Sequence, residues 1–306
     1  MERKHPITAP SPYVLWVVVL TGIAAISVAS ILIRLAEAPP LSIAAYRVTL
    51  ASLAITPFFA LKSRATRHQW NIRVAGITAL SGFFLAFHFI FWISSLKMTS
   101  VASSVILVST NPLFVGLISF FWFRERSHWT LWAGVFCTIV GSSIVAGSDF
   151  SFSKEALRGD LLALLGALMA SGYLLAGRVA RRSLDLLSYS FGAYGAASLV
   201  LLTGCFATST PLTGFAGQTY GVLALLALVP QLIGHTAFNW TLGFLSPTIV
   251  AILILGEPIG ATVLAFFFFE ESPGLLKGAG LLILGTGIVL GSLSSPKSGD
   301  RNDFDA

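Results

Sequence analysis

Apolar residues run through this chain in stretches of roughly twenty, the length that crosses a hydrocarbon core about 30 Å thick. Short polar punctuation separates them from one end to the other. Ten spans are predicted: Val14–Ile33, Leu41–Leu61, Val74–Leu96, Val101–Phe123, Leu131–Ala146, Gly159–Gly177, Leu186–Ala207, Gly221–Leu242, Pro247–Phe269 and Leu275–Leu293. Most connections are short, so neighbours in sequence are expected to pack as antiparallel hairpins. The pattern predicts an all-α, polytopic membrane protein. Met-Glu-Arg-Lys ahead of an apolar run looks like the start of a signal peptide. The run has span length, however, and no small-x-small cleavage site ends it, so it reads as the first span.

A second pattern lies across the first. Ile106–Gly141 aligns without gaps on Ile252–Gly287, with 10 of 36 positions identical. The shared positions include Pro112 and Pro258, a Phe-Phe pair, the loop acids Glu125 and Glu271, and Ala-Gly at 133–134 and 279–280. Each proline sits inside an apolar stretch, directly after a polar residue, Asn111 or Glu257. Proline lacks the N–H of its turn and clashes with the residues before it, so a helix is broken or kinked at matching places. Duplicated units with matching interrupted helices are the sequence signature of a secondary transporter. The expected units are Val14–Ala146, with spans 1–5, and Gly159–Leu293, with spans 6–10. An odd number of spans per unit makes the second enter the membrane from the opposite side, which gives an inverted repeat.

Composition agrees with this reading: 55% of residues are apolar and only 10% charged, against about 25% charged in a soluble domain. The longest polar stretches are a short N-terminus, the link Ser148–Asp160 and the tail from Ser295, so there is no room for a soluble ATPase or dehydrogenase domain. No P-loop or dinucleotide-binding glycine motif precedes a suitable helix. An enzyme is not expected, and no cofactor is implied. Cys137 and Cys205 lie inside predicted spans and read as small packing residues. The net charge of +6 reflects basic loops rather than nucleic-acid binding. With the N-terminus inside, 13 basic residues fall on the cytoplasmic side and 5 outside, Arg47 being within span 2. Both termini are therefore expected in the cytoplasm, with 62–73 and 178–182 inside and 148–158 outside.

Polar groups at membrane depth are costly and turn toward protein or a water-filled cavity. Arg47, about two turns into span 2, is either a ligand for an anion or carboxylate, or a structural arginine that caps carbonyls or pairs with an acid. If Tyr46 aligns on Tyr194, its counterpart is Gly195, so the symmetry is broken here. Glu257 is the only carboxylate near the middle of a span. It can carry a proton, bind an amine, pair with Arg47 or mark a helix bend. Asn111 holds the equivalent place in the first unit. His88 and His235, in LAFHFIFW and LIGHTAFNW, align to within one residue, and each reads either as cavity lining or as a packed, hydrogen-bonded side chain. One turn on, Trp92 and Asn239 share their faces, and Gln231 extends the stripe of His235. Tyr46, Phe91 and Trp240 are further candidates for aromatic walls. The expected substrate-binding set is Arg47, His88, Trp92, Asn111, His235, Asn239 and Glu257, with Pro112 and Pro258 as helix breaks. No HExxH, His-x-x-x-His or cysteine cluster suggests a metal. Gly274-x3-Gly278 and Gly287-x3-Gly291 allow close helix approach, either against span 5 or at a dimer seam.

Together, the two five-span repeats, Asn111-Pro112 and Glu257-Pro258, Glu125 and Glu271, Arg47 after Ala-Tyr, and glycine-rich spans 5 and 10 resemble the drug/metabolite transporter superfamily, and within it the EamA family. The resemblance covers Val14 to Leu293. It implies a ten-span carrier for amino acids, other small metabolites or drugs. The expectation is an exporter in the inner membrane of a bacterium, working by alternating access on amino-acid-like or amphipathic compounds, with protons as a candidate coupling ion. Its partners are the small-molecule substrate and the lipid bilayer, not nucleic acid. A monomer is favoured over a dimer. Two rivals stand beside it: a nucleotide-sugar or phosphate-ester carrier, which needs more basic residues than Arg47 alone, and a non-transporting receptor or assembly protein.

Overall fold

The computed structural model describes residues 10–62, 70–99, 101–123, 129–146, 153–269 and 274–293. Within them the chain is helical, with no strand. The helices are α1 (Pro12–Ser27), α2 (Ala29–Leu35), α3 (Pro40–Ala60), α4 (Ile72–Met98), α5 (Val101–Val108), α6 (Asn111–Phe123), α7 (Trp129–Ala146), α8 (Lys154–Arg181), α9 (Leu186–Ala207), α10 (Gly217–Leu226), a π-helical segment (Ala227–His235), α11 (Thr236–Thr241), α12 (Pro247–Ile254), α13 (Gly256–Phe269) and α14 (Leu275–Leu293). Among the described residues, six continuous stretches are long and apolar enough to cross a membrane: Pro12–Leu35, Pro40–Ala60, Ile72–Met98, Lys154–Arg181, Leu186–Ala207 and Gly217–Thr241. Shorter apolar helices accompany them. Glu125, Glu271 and the basic residues at 3–4, 64, 67, 124, 126, 297 and 301 lie outside the described residues.

Local chemistry sets the helix starts. Ser11, Asn71, Ser153, Asp185 and Ser246 each accept a hydrogen bond from a backbone N–H of the first turn, at 2.9 to 3.4 Å. Such caps satisfy donors that the helix itself leaves free. The Ser153 cap corrects one expectation: the helix begins at Lys154, not Gly159, so the polar link is shorter. Lys154, Glu155 and Arg158 are its first polar turns, which a hydropathy boundary reads as loop.

Span 1 is two helices rather than one, with Val28 between them. The proline-marked helices are also divided, and the division falls before the proline. Ser109 and Thr110 separate α5 from α6, and Leu255 separates α12 from α13. Pro112 and Pro258 thus sit in the first turn of the second half-helix, where a missing N–H leaves no helical bond unmade. A further irregularity was not anticipated. The stretch from Gly217 to Thr241 widens into a π-helix around Pro230, and widened turns of this kind are frequent at functional sites.

The two halves pack through equivalent surfaces. A Cβ on Gly141 would stand 2.7 Å from Gly280 O, and one on Gly287 would stand 2.7 Å from Gly134 O. In the ungapped alignment Gly141 corresponds to Gly287, and Gly134 to Gly280. The contact between α7 and α14 is therefore reciprocal, as across a two-fold axis. Glycine is required here because the backbones touch. Gly287 accordingly packs against α7, whereas Gly274 and Gly278 face open space. The other extensive pairings are α4 with α8 and α9 with both α3 and α4.

Candidate functional site

The broken helices, the π-segment and the helices opposite them surround one cavity of about 70 Å³. It is lined by Ile26 and Ala29, by Arg47 of α3, by His88 and Trp92 of α4, and by Val105, Val108, Ser109 and Asn111 at the first break. Ala170, Tyr173 and Leu174 of α8, then His235 and Phe238, continue the wall. Ala251, Ile254, Leu255, Glu257 and Pro258 at the second break close it. Repeat-equivalent positions line the same space: Val105 and Ala251, Val108 and Ile254, and Asn111 and Glu257, with His88 and His235 equivalent to within one residue.

Arg47 is held by two contacts. Its Nε donates to Gln231 Oε1 at 2.9 Å, and its guanidinium carbon lies 4.1 Å from the centre of the Phe89 ring. The side chain is only 1% exposed, and its Nη1 has no partner. Phe89 is one turn from Trp92, whose indole Nε1 is also buried without a partner. The Trp92 ring stacks on His88 at 5.8 Å and 13°. His88 Nδ1 lies 2.9 Å from Gly166 O. A carbonyl only accepts, so this nitrogen carries the proton and Nε2 is left as the acceptor in the neutral ring. His235 makes ring contacts instead, edge-on to Phe89 at 5.3 Å and tilted against Tyr173 at 6.3 Å.

The breaks bring acceptors to the same cavity. Glu257 Oε1 and Asn111 Oδ1 are both buried without a hydrogen-bond partner. Among the described residues no ion pair joins Glu257 to Arg47, although both face the same space. Buried polar atoms left unpaired are uncommon, and each needs a reason such as a ligand or water. Four of the eight such side-chain atoms among the described residues belong to this cavity.

The structure thus brings Arg47, His88, Trp92, Asn111, His235 and Glu257 around one cavity, and it does not bring Asn239 there. Asn239 lies behind the wall, where Oδ1 accepts from Tyr173 OH at 2.5 Å and Nδ2 donates to Tyr194 OH at 3.2 Å. The turn that carries Asn239 is regular α-helix, Thr236–Thr241, so it is these two tyrosine bonds that hold the amide out of the cavity. Tyr194 OH lies 3.1 Å from Thr236 Oγ1 and donates to Gln231 O at 3.4 Å, so this buried network runs back to the residue that holds Arg47. Pro112 is buried but does not line the cavity. Tyr46 donates to Leu212 O at 2.6 Å and packs on Phe215 and Tyr220, and neither Phe91 nor Trp240 reaches the space. Sequence reasoning missed Tyr173 and Phe89, as well as two serines, Ser27 and Ser171, whose equivalence is visible only when spans 1 and 6 are aligned.

Residues 11–147 and 157–293 each match the family model described as the EamA-like transporter family. The chain belongs to the EamA-like transporter family. Its six long apolar stretches make this transporter a multi-pass membrane protein. It is similar to the "Uncharacterized transporter YxxF" of Bacillus subtilis (strain 168), 24% identical over 72% of this chain and 71% of that one. It is also similar to the "Uncharacterized transporter YdfC" of the same organism, 23% identical over 81% of this chain and 80% of the other. A solved crystal structure superposes with a TM-score of 0.76 over 92% of this chain and 98% of its own. At 18% identity that likeness speaks for the fold alone. The EamA-like family and both relatives are transporters, a kind of protein distinct from enzymes.

Proposed function

We propose that this transporter exports small zwitterionic metabolites of amino-acid type across the inner membrane of a bacterium by alternating access. One observation carries the substrate class: the orphaned atoms around the cavity are two donors and two acceptors. Arg47 Nη1 and Trp92 Nε1 are N–H groups with nothing to donate to, while Glu257 Oε1 and Asn111 Oδ1 have nothing to accept. Leaving such a group unmet costs about 1–3 kcal/mol, so a ligand that meets all four is favoured. A carboxylate suits the guanidinium and the indole. An ammonium suits the carboxylate and the amide oxygen. An α-amino acid carries both groups on one carbon, and its side chain finds Ile26, Val105, Val108, Phe238 and Ile254. Among the described lining residues Arg47 is the sole permanent cation, which disfavours a phosphate ester or nucleotide sugar.

The frame for this activity is ten spans in two inverted repeats, Val14–Ala146 and Gly159–Leu293, with both termini in the cytoplasm. The distribution of basic residues supports the orientation, and the reciprocal glycine contact supports the pseudo-symmetry. Two equivalent bundles around one site exchange inward-open and outward-open shapes at little cost. The substrate gradient or a proton gradient supplies the energy, and a monomer is the working unit.

Counterflow in proteoliposomes tests the substrate. Vesicles are loaded with one unlabelled proteinogenic amino acid at a time and offered the same compound radiolabelled. Exchange is expected for at least one amino acid, and for neither its decarboxylated amine nor its deaminated acid. Arg47→Ala should weaken the apparent affinity by about 2–5 kcal/mol, the usual cost of truncating one partner of a buried, charged hydrogen bond. Equal exchange of the amine, exchange of no amino acid, or wild-type affinity in Arg47→Ala overturns the assignment.

A further inference from the structure

Two serines treat the two helix breaks alike, each from the other half of the molecule. Ser27, in the last turn of α1, donates to Ile23 O at 2.7 Å on its own helix and reaches Glu257 O at 3.4 Å. Ser171, in α8, donates to Ala167 O at 2.8 Å and reaches Asn111 O at 3.3 Å. Asn111 and Glu257 are equivalent residues. A serine of the first repeat therefore touches the break of the second, and a serine of the second repeat touches the break of the first.

We infer that Ser27 and Ser171 are paired positioning residues that fix the peptides of Glu257 and Asn111, and so the aim of those two side chains into the cavity. The inference rests on reading the breaks as the working parts of the transport site. A hydroxyl has one hydrogen, here shared between a short arm to its own helix and a long arm to the break. The short arm is a resting acceptor. When the break carbonyl moves away, the hydroxyl keeps its bond to the residue four back, and no buried donor is stranded. The contact between repeats can be made and released at low cost, which a static cap cannot offer. Cross-repeat placement also means that a shift of α1 is felt at Glu257 and a shift of α8 at Asn111.

Thiol modification tests this without any substrate, so its outcome is separate from the amino-acid assignment. Leu255→Cys and Ser109→Cys place equivalent probes on the cavity wall at the two breaks. Each is made after Cys137→Ala and Cys205→Ala have removed the native thiols. The readout is the rate of reaction with methanethiosulfonate ethylammonium in the full-length, reconstituted protein. Ser27→Ala is expected to raise the rate at Leu255→Cys about two- to tenfold, the population change that one hydrogen bond of ordinary net strength produces, and to leave Ser109→Cys unchanged. Ser171→Ala is expected to do the reverse. If Ser27→Ala does not accumulate, Gly260→Ala replaces it: a Cβ there would collide with Ser27 Oγ and push the intact hydroxyl off Glu257. Rates that rise together at both probes mean general loosening and overturn the inference. So do unchanged rates, or a rise confined to the break in the serine's own repeat.

Discussion

The two breaks share a backbone and differ in almost everything attached to it. At the first, Ser109 and Thr110 turn their hydroxyls onto Val105 O and Leu107 O, both at 2.6 Å, so the end of α5 is capped by its own side chains. At the second, Leu255 and Gly256 have no hydroxyl to offer, and the neighbouring helix closes in instead. A Cβ on Gly256 would stand 2.7 Å from Ile23 Cδ1. The first break then presents a neutral amide and the second a carboxylate. Duplication has kept the geometric device, a half-helix start with proline in its first turn, and has divided the chemistry. The asymmetric ligand proposed for the cavity requires that division. The walls beside the breaks follow it, with Ile26 and Ala29 on one side answered by Ala170 and Tyr173 on the other.

The strongest test of this contrast exchanges the chemistry and leaves the backbone alone. Glu257→Gln keeps the shape and removes the charge, and should weaken the exchange affinity about 10- to 100-fold, as expected for loss of a charged hydrogen bond, with little change in melting temperature. The double swap Asn111→Glu with Glu257→Asn restores the charge at the mirror position. It is expected to exchange no better than Glu257→Gln, because the walls beside the breaks are not mirrored. Counterflow restored by the swap would show the two breaks to be interchangeable.

A smaller effect is expected from the prolines. Pro258→Ala supplies an N–H that can reach Ile254 O and heal the helix, so maximal exchange should fall severalfold with KM little changed. Pro112→Ala should do less, because Ser109 and Thr110 still hold their carbonyls. Equal losses in the two variants would erase the distinction between a self-capped break and a neighbour-held one.

The smallest effect lies away from both breaks and serves as their control. Asp185 caps α9 and pairs with Lys62. Burial alone would raise its pKa, but hydrogen bonds from Lys62 and Ser188, with the Lys62 charge, hold it below the ordinary value. The pKa is lower in the folded state, so the stabilisation is present above the unfolded value and is lost as pH falls through the folded one. Asp185→Asn should cost about 1 kcal/mol or less and flatten the acid side of a melting-temperature series, leaving KM for exchange unchanged. An undiminished acid dependence in the variant would remove Asp185 from that account.

Much of this was open to a reading of the chain. Leu186–Ala207 begins and ends as a helix where hydropathy says it should, and the last helix opens at Leu275 as expected. The matched prolines point to the two divisions, because a missing N–H is a local fact that needs no tertiary context. The division at Val28 is different, because an apolar run looks the same with or without it. The widened turn has a local sign in Pro230, whose missing N–H interrupts the helix from inside, but no matching proline in the first unit points to it. Gln231 shows the cost: a face shared with His235 at the regular helical period fails where the turn between them is wider, and Gln231 turns to Arg47 instead. Ser27 and Ser171 were hidden for another reason. A serine in an apolar helix normally satisfies itself on the residue four back, so nothing in the sequence separates one that also touches a distant carbonyl.

The reciprocal glycine seam between α7 and α14 carries a consequence for how such a molecule can be built. A self-complementary surface does not need two different halves. Two separate copies of one half can make the same contact, at a rate set by their concentration in the membrane. Joining the halves in one chain turns that encounter into an intramolecular one, with an effective concentration on the order of millimolar for a short flexible connection. Once association is secured by the peptide chain, the seam no longer has to be identical on both sides to persist, and the two halves are free to diverge around the ligand between them.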